Sequence, residues 1–210
     1  MFIKELWRYP VKSLAGERVQ EAKLTTLGIP GDRTIIVLHR GRVATSRTYP
    51  KLLGLHGTTG ADGLPRIDGH AWDSPEALEL VRHAVRPDAE LMHYEGEERF
   101  DILPLLVATD GAIAHQGIDG RRLRPNIVLG GVEGLAERAW PGRKIRIGET
   151  VLHPEQLRGR CIMTTYDPDT LAQDVEVLRR IGCELEGTMG LDTSVERGGI
   201  IRIGDTVELV

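Results

Sequence analysis

Cysteine is scarce in this chain: Cys161 and Cys183 are the only two among 210 residues. They share no CxxC spacing, which excludes a zinc knuckle and a disulfide framework, and a reducing compartment is the expectation. Positive charge is not in excess either. The 27 Lys and Arg face 31 Asp and Glu, a formal net charge of -4, so the surface is not one coated for nucleic acid. Basic residues matter here only if they are gathered locally. No apolar run approaches the ~20 residues that cross a bilayer. Met1 to Arg8 alternate apolar and charged residues without a cleavage-site pattern, and read as a first strand rather than a signal peptide. A cytoplasmic protein with neither nucleic-acid nor membrane partners is expected. A dinucleotide fingerprint, a glycine-rich loop between strand and helix, is also missing, so any redox electrons must come from a partner.

What is present is a series of short strand patterns with turns between them. Ile3 to Val11 alternate, with Pro10 limiting that strand to an edge or an end. Val19 to Leu24 form a second strand, and Leu27 to Asp32 a turn. Thr34 to Leu38 is a β-branched run suited to burial, turned back by His39–Arg42 into Val43–Arg47 as a hairpin. Gly54 to Gly69 reads as loop with at most one strand. Ser74-Pro75-Glu76 starts a helix that buries Ala77, Leu78, Val81, Ala84 and Val85 and stops before Pro87. Thr109-Asp110 caps a short helix after a strand from Phe100. A basic loop, Gly117 to Asn126, feeds the strand Ile127–Leu129. Ile145–Val151 and Ile201–Val207 echo each other, each with Gly followed by an acid, and predict two hairpins. Between them Leu171, Val175, Leu178 and Ile181 share a helical face capped by Gly182, with Cys183 packed beyond it. The expected fold is mainly β, a β-barrel core with a few flanking helices. The expected boundary divides 1–85, an N-terminal β lobe, from 86–210, and a site using both lobes.

The stretch that draws chemistry is Arg158-Gly159-Arg160-Cys161-Ile162-Met163-Thr164-Thr165. Guanidinium groups upstream of the thiol favour thiolate, which makes Cys161 a candidate nucleophile or soft-metal ligand. Against that stands the burial habit of free cysteine, since Cys161-Ile162-Met163 also suits one buried strand. His115 and His153 are lone histidines, and Asp110 and Asp119 are candidates for a proton relay only if a partner stands beside them.

Five segments in order resemble the MOSC family, the domain named for the C-terminal part of molybdenum cofactor sulfurase. They are Arg8-Tyr9-Pro10-Val11-Lys12-Ser13, Gly31-Asp32-Arg33, Leu123 to Leu129, Arg160 to Thr170, and Ile203-Gly204-Asp205-Thr206-Val207. The chain is most similar to small bacterial members related to the amidoxime-reducing component. The resemblance implies a β-barrel core and a molybdopterin cofactor with Cys161 as catalytic thiol and metal ligand. It also implies that Lys12, Ser13, Arg33, Arg124, Asn126, Arg160 and Thr165 hold that cofactor. Arg47 and Arg158 are cations of the same kind that read more simply as solvated surface. Asp167-Pro168-Asp169 is a turn and helix entry, and the glycine that usually follows it in the family is Leu171 here.

Two functions are compatible with this resemblance. One is an oxidoreductase reducing N-hydroxylated or N-oxide small molecules with electrons from an iron-sulfur or flavin reductase. The other is a sulfur-transfer or cofactor-carrier protein that uses a persulfide on Cys161. A pyridoxal phosphate Schiff base on Lys12 is a weaker alternative.

Overall fold

A computed structural model describes all residues 1–210. In the N-terminal part the elements are β1 (Phe2–Arg8), β2 (Glu17–Val19), β3 (Glu21–Leu24), β4 (Ile35–His39), β5 (Arg42–Val43), β6 (Gly57–Thr59), β7 (Pro65–Ile67), β8 (His70–Ala71), α1 (Pro75–Ala84) and β9 (Glu90–His93). There follow β10 (Leu105–Thr109), α2 (Asp110–Gln116), β11 (Ile127–Gly130), β12 (Ile145–Ile147), β13 (Thr150–Gly159), α3 (Val175–Leu185), β14 (Thr188–Arg197), β15 (Gly199–Arg202) and β16 (Glu208–Leu209). The fold is mainly β with flanking helices.

One eight-stranded sheet, in the order β16-β12-β13-β14-β10-β11-β1-β2, forms the centre. Every residue of β10 and β11 is buried, as aliphatic strands covered on both faces must be. These two run parallel, so a crossover has to join them. The crossover is α2, capped by Thr109 Oγ1 accepting from Ala112 N at 3.2 Å and ended by Gly117 at φ 60°. Ile3, Leu6, Val107, Ile127, Leu129, Ile145, Leu152 and Leu191, all fully buried, meet in the main core. Each contributes about 1.5–3 kcal/mol by leaving water. The strand ladder does not close into a barrel. Its two ends approach only through the Phe2–Thr206 bridge and bonds such as Ile3 N to Asp205 O, because β16 is two residues long and pairs with β12 alone.

A second core gathers Val11, Leu14, Ile35, Val37, Leu52, Ile67 and Val81 under a three-stranded sheet β5-β4-β9 and helix α1. Ser74 Oγ accepts from Ala77 N at 3.2 Å, as the Ser-Pro-Glu start implies. Ser74→Ala should therefore lower stability by about 1 kcal/mol, seen as a drop of roughly 2–4 °C in thermal unfolding. The two parts of the chain interlace. β1 lies in the central sheet beside β11, β3 pairs with β15, and β9 pairs with β4.

Several local expectations need correction. Gly54 to Gly69 holds two strands, β6 and β7, which build a three-stranded sheet with β8. Their three-residue length gives no periodicity to read. The segment from Val19 to Leu24 breaks at Gln20, since β2 pairs with β1 and β3 with β15. The echo at Ile201–Val207 is not a hairpin: Gly204 turns the chain from β15 in one sheet to β16 in another. In α3 the buried face is Val177, Ile181 and Leu185, whereas Val175 is 56% exposed. Gly182 lies inside that helix, Glu186 at φ 55° ends it, and Cys183 is exposed rather than packed. Leu171 takes φ 58°, a left-handed conformation in which a side chain is strained and glycine is not.

Candidate functional site

Antiparallel pairing sets the site. Leu6 of β1 stands opposite Ile127 of β11, so the residues leaving β1 lie beside those entering β11. Tyr9 Oη donates to Pro125 O at 3.1 Å and fixes that meeting. The chain leaving β13 arrives there as well, because Arg160 Nη2 donates to Leu123 O at 2.8 Å and Arg122 Nη1 to Thr165 O at 2.9 Å. A cleft forms where these segments converge. Lys12, Ser13, Arg33, Arg124, Asn126, Arg160 and Cys161 all line it, drawn from both parts of the chain. Ser13, Arg33 and Arg124 share a further property: each has a positive φ, at 74°, 56° and 57°. Such backbone costs of order 1–3 kcal/mol per residue and persists where the surroundings enforce it, typically at sites.

Charge is the cleft's main feature. Six cations, Lys12, Arg33, Arg47, Arg124, Arg158 and Arg160, face two carboxylates, Asp101 and Asp192. Four positive charges are left without an acidic partner in the lining, in a protein whose net charge is -4. Burial lowers the guanidinium pKa of Arg124 to about 10, and burial aided by Arg158 does the same for Arg160. Both stay charged at neutral pH. The unfolded chain keeps these protons to higher pH, so their burial opposes folding at pH 7, a penalty that begins to relax above about pH 10 and is gone only once the unfolded guanidinium also loses its proton. An anion bound between them would offset that penalty. Arg160 Nε is buried with no hydrogen-bond partner, and the Arg124 guanidinium lies over the Tyr9 ring at 4.5 Å.

The remaining groups are held more firmly. Lys12 Nζ donates to Arg99 O at 2.6 Å and to Asp101 Oδ1 at 2.9 Å. Both bonds engage the nitrogen that an imine would need free. Asp101 also takes Arg158 Nη2 at 3.1 Å. Its own burial favours the neutral acid, but Lys12, Arg158 and Arg33 together pull its carboxyl below the usual range. Arg33 pairs with the fully buried Asp32, which also accepts from Tyr9 N at 2.7 Å. Asn126 ties backbone to the site: its Oδ1 accepts from Leu106 N at 3.1 Å and from Arg33 Nη1 at 3.4 Å, and its Nδ2 donates to Trp7 O at 3.4 Å.

Cys161 is half-buried. The exposed Arg47 stands beside it, and interaction with the sulfur raises the guanidinium pKa of Arg47. Thr165 lies elsewhere: it is fully buried, its Oγ1 donating to Ile162 O at 2.6 Å, and it does not line the cleft. Arg47, Arg158, Asp101 and Asp192 are lining residues that sequence order does not single out. Asp110 accepts from Gly131 N and Val132 N, Asp119 holds Arg121, and neither His115 nor His153 reaches the cleft.

No group of three or more His, Cys, Asp or Glu side chains is placed to hold a metal ion. One thiol among cations instead suits a metal delivered by an anionic carrier, with the orphaned Arg160 Nε and the unpaired Arg124 as its counterpart. The residues present fit a molybdopterin. The open space measures about 140 Å³, with Asp101 lying between Lys12 and Arg158.

Comparison with known proteins agrees with the reading of the chain. The YUAD protein of Bacillus subtilis superposes with a TM-score of 0.52 at 14% identity, over 99% of this chain and 94% of its own, a likeness of fold. Mitochondrial amidoxime-reducing component 1 of Mus musculus is 26% identical over 99% of this chain and 82% of its own length. Its counterpart in Homo sapiens is 25% identical, over 80% and 67%. The MOSC N-terminal beta barrel domain matches residues 1–84 and the MOSC domain residues 81–208. The chain therefore belongs to the MOSC family.

Proposed function

We propose that this protein binds the molybdenum cofactor and reduces N-hydroxylated or N-oxide compounds with electrons from a partner iron-sulfur or flavin reductase. The observation that carries the reading is the placement of one half-buried thiol, Cys161, beside Arg47 in a cleft where Arg124 and Arg160 have no acidic partner. The similarity to amidoxime-reducing components over nearly the whole chain supports the same class of substrate.

In this reading Cys161 Sγ is the protein's ligand, with Arg47 standing beside it. Arg124 and Arg160 would hold the phosphate, with Lys12, here paired with Asp101, as a further cation for it. Arg33 is aimed by Asp32 and Asn126, and Ser13 adds a hydroxyl. The bound cofactor would supply an oxygen-atom acceptor that cycles two electrons. Overall, a hydroxylamine takes up two electrons and two protons and leaves as amine and water. A partner must deliver the electrons, because no nicotinamide or flavin fingerprint is present. We further propose a cytoplasmic setting; no helix is long and apolar enough to cross a membrane.

Protein made in a host that synthesises molybdenum cofactor should carry molybdenum and pterin at about one each per chain. Arg124→Ala and Arg160→Ala should each reduce the pterin content, measured by fluorescence after oxidative release. Wild-type protein free of both molybdenum and pterin would overturn the reading. The half-exposed thiol also permits a sulfur-carrier role, in which mass spectrometry after desulfurase treatment would find a persulfide on Cys161 and no metal.

A further inference from the structure

Next to the cleft lies a second cavity that the proposed function does not use. It encloses about 350 Å³, within the size range of small-molecule sites. Arg124 and Met163 belong to both linings, so the two spaces share a wall. The rings of Trp7, Tyr9 and Tyr166 contribute its aromatic surface. Trp7 and Tyr166 are half-buried, as residues facing a cavity are, and the Tyr166 hydroxyl makes no hydrogen bond.

Its polar lining has one sign. Arg18, Arg121, Arg122 and Arg124 contribute to it, and no Asp or Glu does. Arg121 and Arg122 are already matched by Asp119, Asp169 and Asp167. Arg18 is not: its one hydrogen bond is a 3.4 Å contact to Lys4 O. Arg124 makes no hydrogen bond through its guanidinium and lies instead over the Tyr9 ring. Aromatic faces favour a flat π-system, and free guanidinium forks favour a carboxylate.

We infer that this cavity is a binding site for a planar aromatic carboxylate, occupied alongside the group in the neighbouring cleft. Trp7 and Tyr166 stack on the ligand's ring, and Arg18 takes its carboxylate. A pterin shares part of this chemistry, so the experiment has to separate a free aromatic acid from the cofactor's own ring.

The probe is 1-naphthoate, titrated calorimetrically into cofactor-free protein, with cyclohexanecarboxylate and benzamidine as controls. Naphthoate should bind, with the saturated acid and the aromatic cation at least about tenfold weaker, the size expected for losing one charge-assisted bond or one stacked face. Arg18→Gln and Tyr166→Leu should each weaken naphthoate by about tenfold, and Lys12→Gln in the first cleft should leave it unchanged. Binding should quench tryptophan fluorescence in the wild type and not in Trp7→Phe. Absence of binding, equal affinity for benzamidine, or loss in Lys12→Gln without loss in Arg18→Gln would overturn the inference. So would cofactor-loaded protein that no longer binds naphthoate while the cofactor-free form does, because the cavity would then be part of the cofactor's bed. Failure to load cofactor at all leaves the first titration decisive, so this claim and the proposed function fail separately.

Discussion

Cys161→Ala should abolish N-reductive turnover. With an artificial electron donor and a hydroxylamine substrate, the fall should exceed about 100-fold, since groups one shell further from a metal already cost 10–100-fold. The substitution is small and the site half-buried, so folding should be preserved. The pterin should also remain, because in the proposed arrangement Arg124, Arg160 and Lys12 hold the phosphate and the sulfur does not. Loss of turnover with pterin retained is the signature of a missing metal ligand. Turnover that survives the substitution would remove Cys161 from the chemistry, and loss of pterin as well would mean that the thiol is part of the binding platform.

Asp32→Ala should produce the largest loss of stability. Asp32 is fully buried, accepts from Tyr9 N at 2.7 Å and pairs with Arg33, whose side chain is 16% exposed. Removing one partner of a buried pair strands the other charge and here also a backbone N–H, which together cost about 3–5 kcal/mol. Thermal unfolding should fall by on the order of 10 °C. Asp32→Asn should recover part of the loss by keeping an acceptor for Tyr9 N. Arg33 would lose its aim in both variants, retaining only Asn126 Oδ1 at 3.4 Å and the Tyr9 ring at 5.0 Å. A loss below 1 kcal/mol in Asp32→Ala would show that the pair contributes little.

What could be read from the sequence was local. The Ser74 and Thr109 caps follow from side chains within three residues of the N–H groups they serve, and both are made. Lys12, Ser13, Arg33, Arg124, Asn126 and Cys161 stand inside short recognisable segments, and the structure gathers them. Asp101 was not legible because the group that gives it meaning, Lys12, is 89 positions away. Arg47 and Arg158 looked like solvated surface for the same reason: only folding sets one beside Cys161 and the other between Asp101 and Asp192. Thr165 shows the converse, a residue in the right segment whose hydroxyl turns inward to its own turn. The strands that were missed, β6 and β7, are too short to carry alternation, and the false hairpin at Ile201 had the right turn residues but the wrong partners.

The pairing of β1 with β11 constrains how the molecule is born. Leu6 leaves the ribosome long before Ile127, its partner across the sheet. At roughly 5–20 residues per second, the first strand waits on the order of 10 s with an open edge. The cleft is incomplete throughout that interval, because Lys12 and Cys161 meet only once both have been synthesised. A ligand that needs both sides of the cleft can therefore be held only after nearly the whole chain has been made.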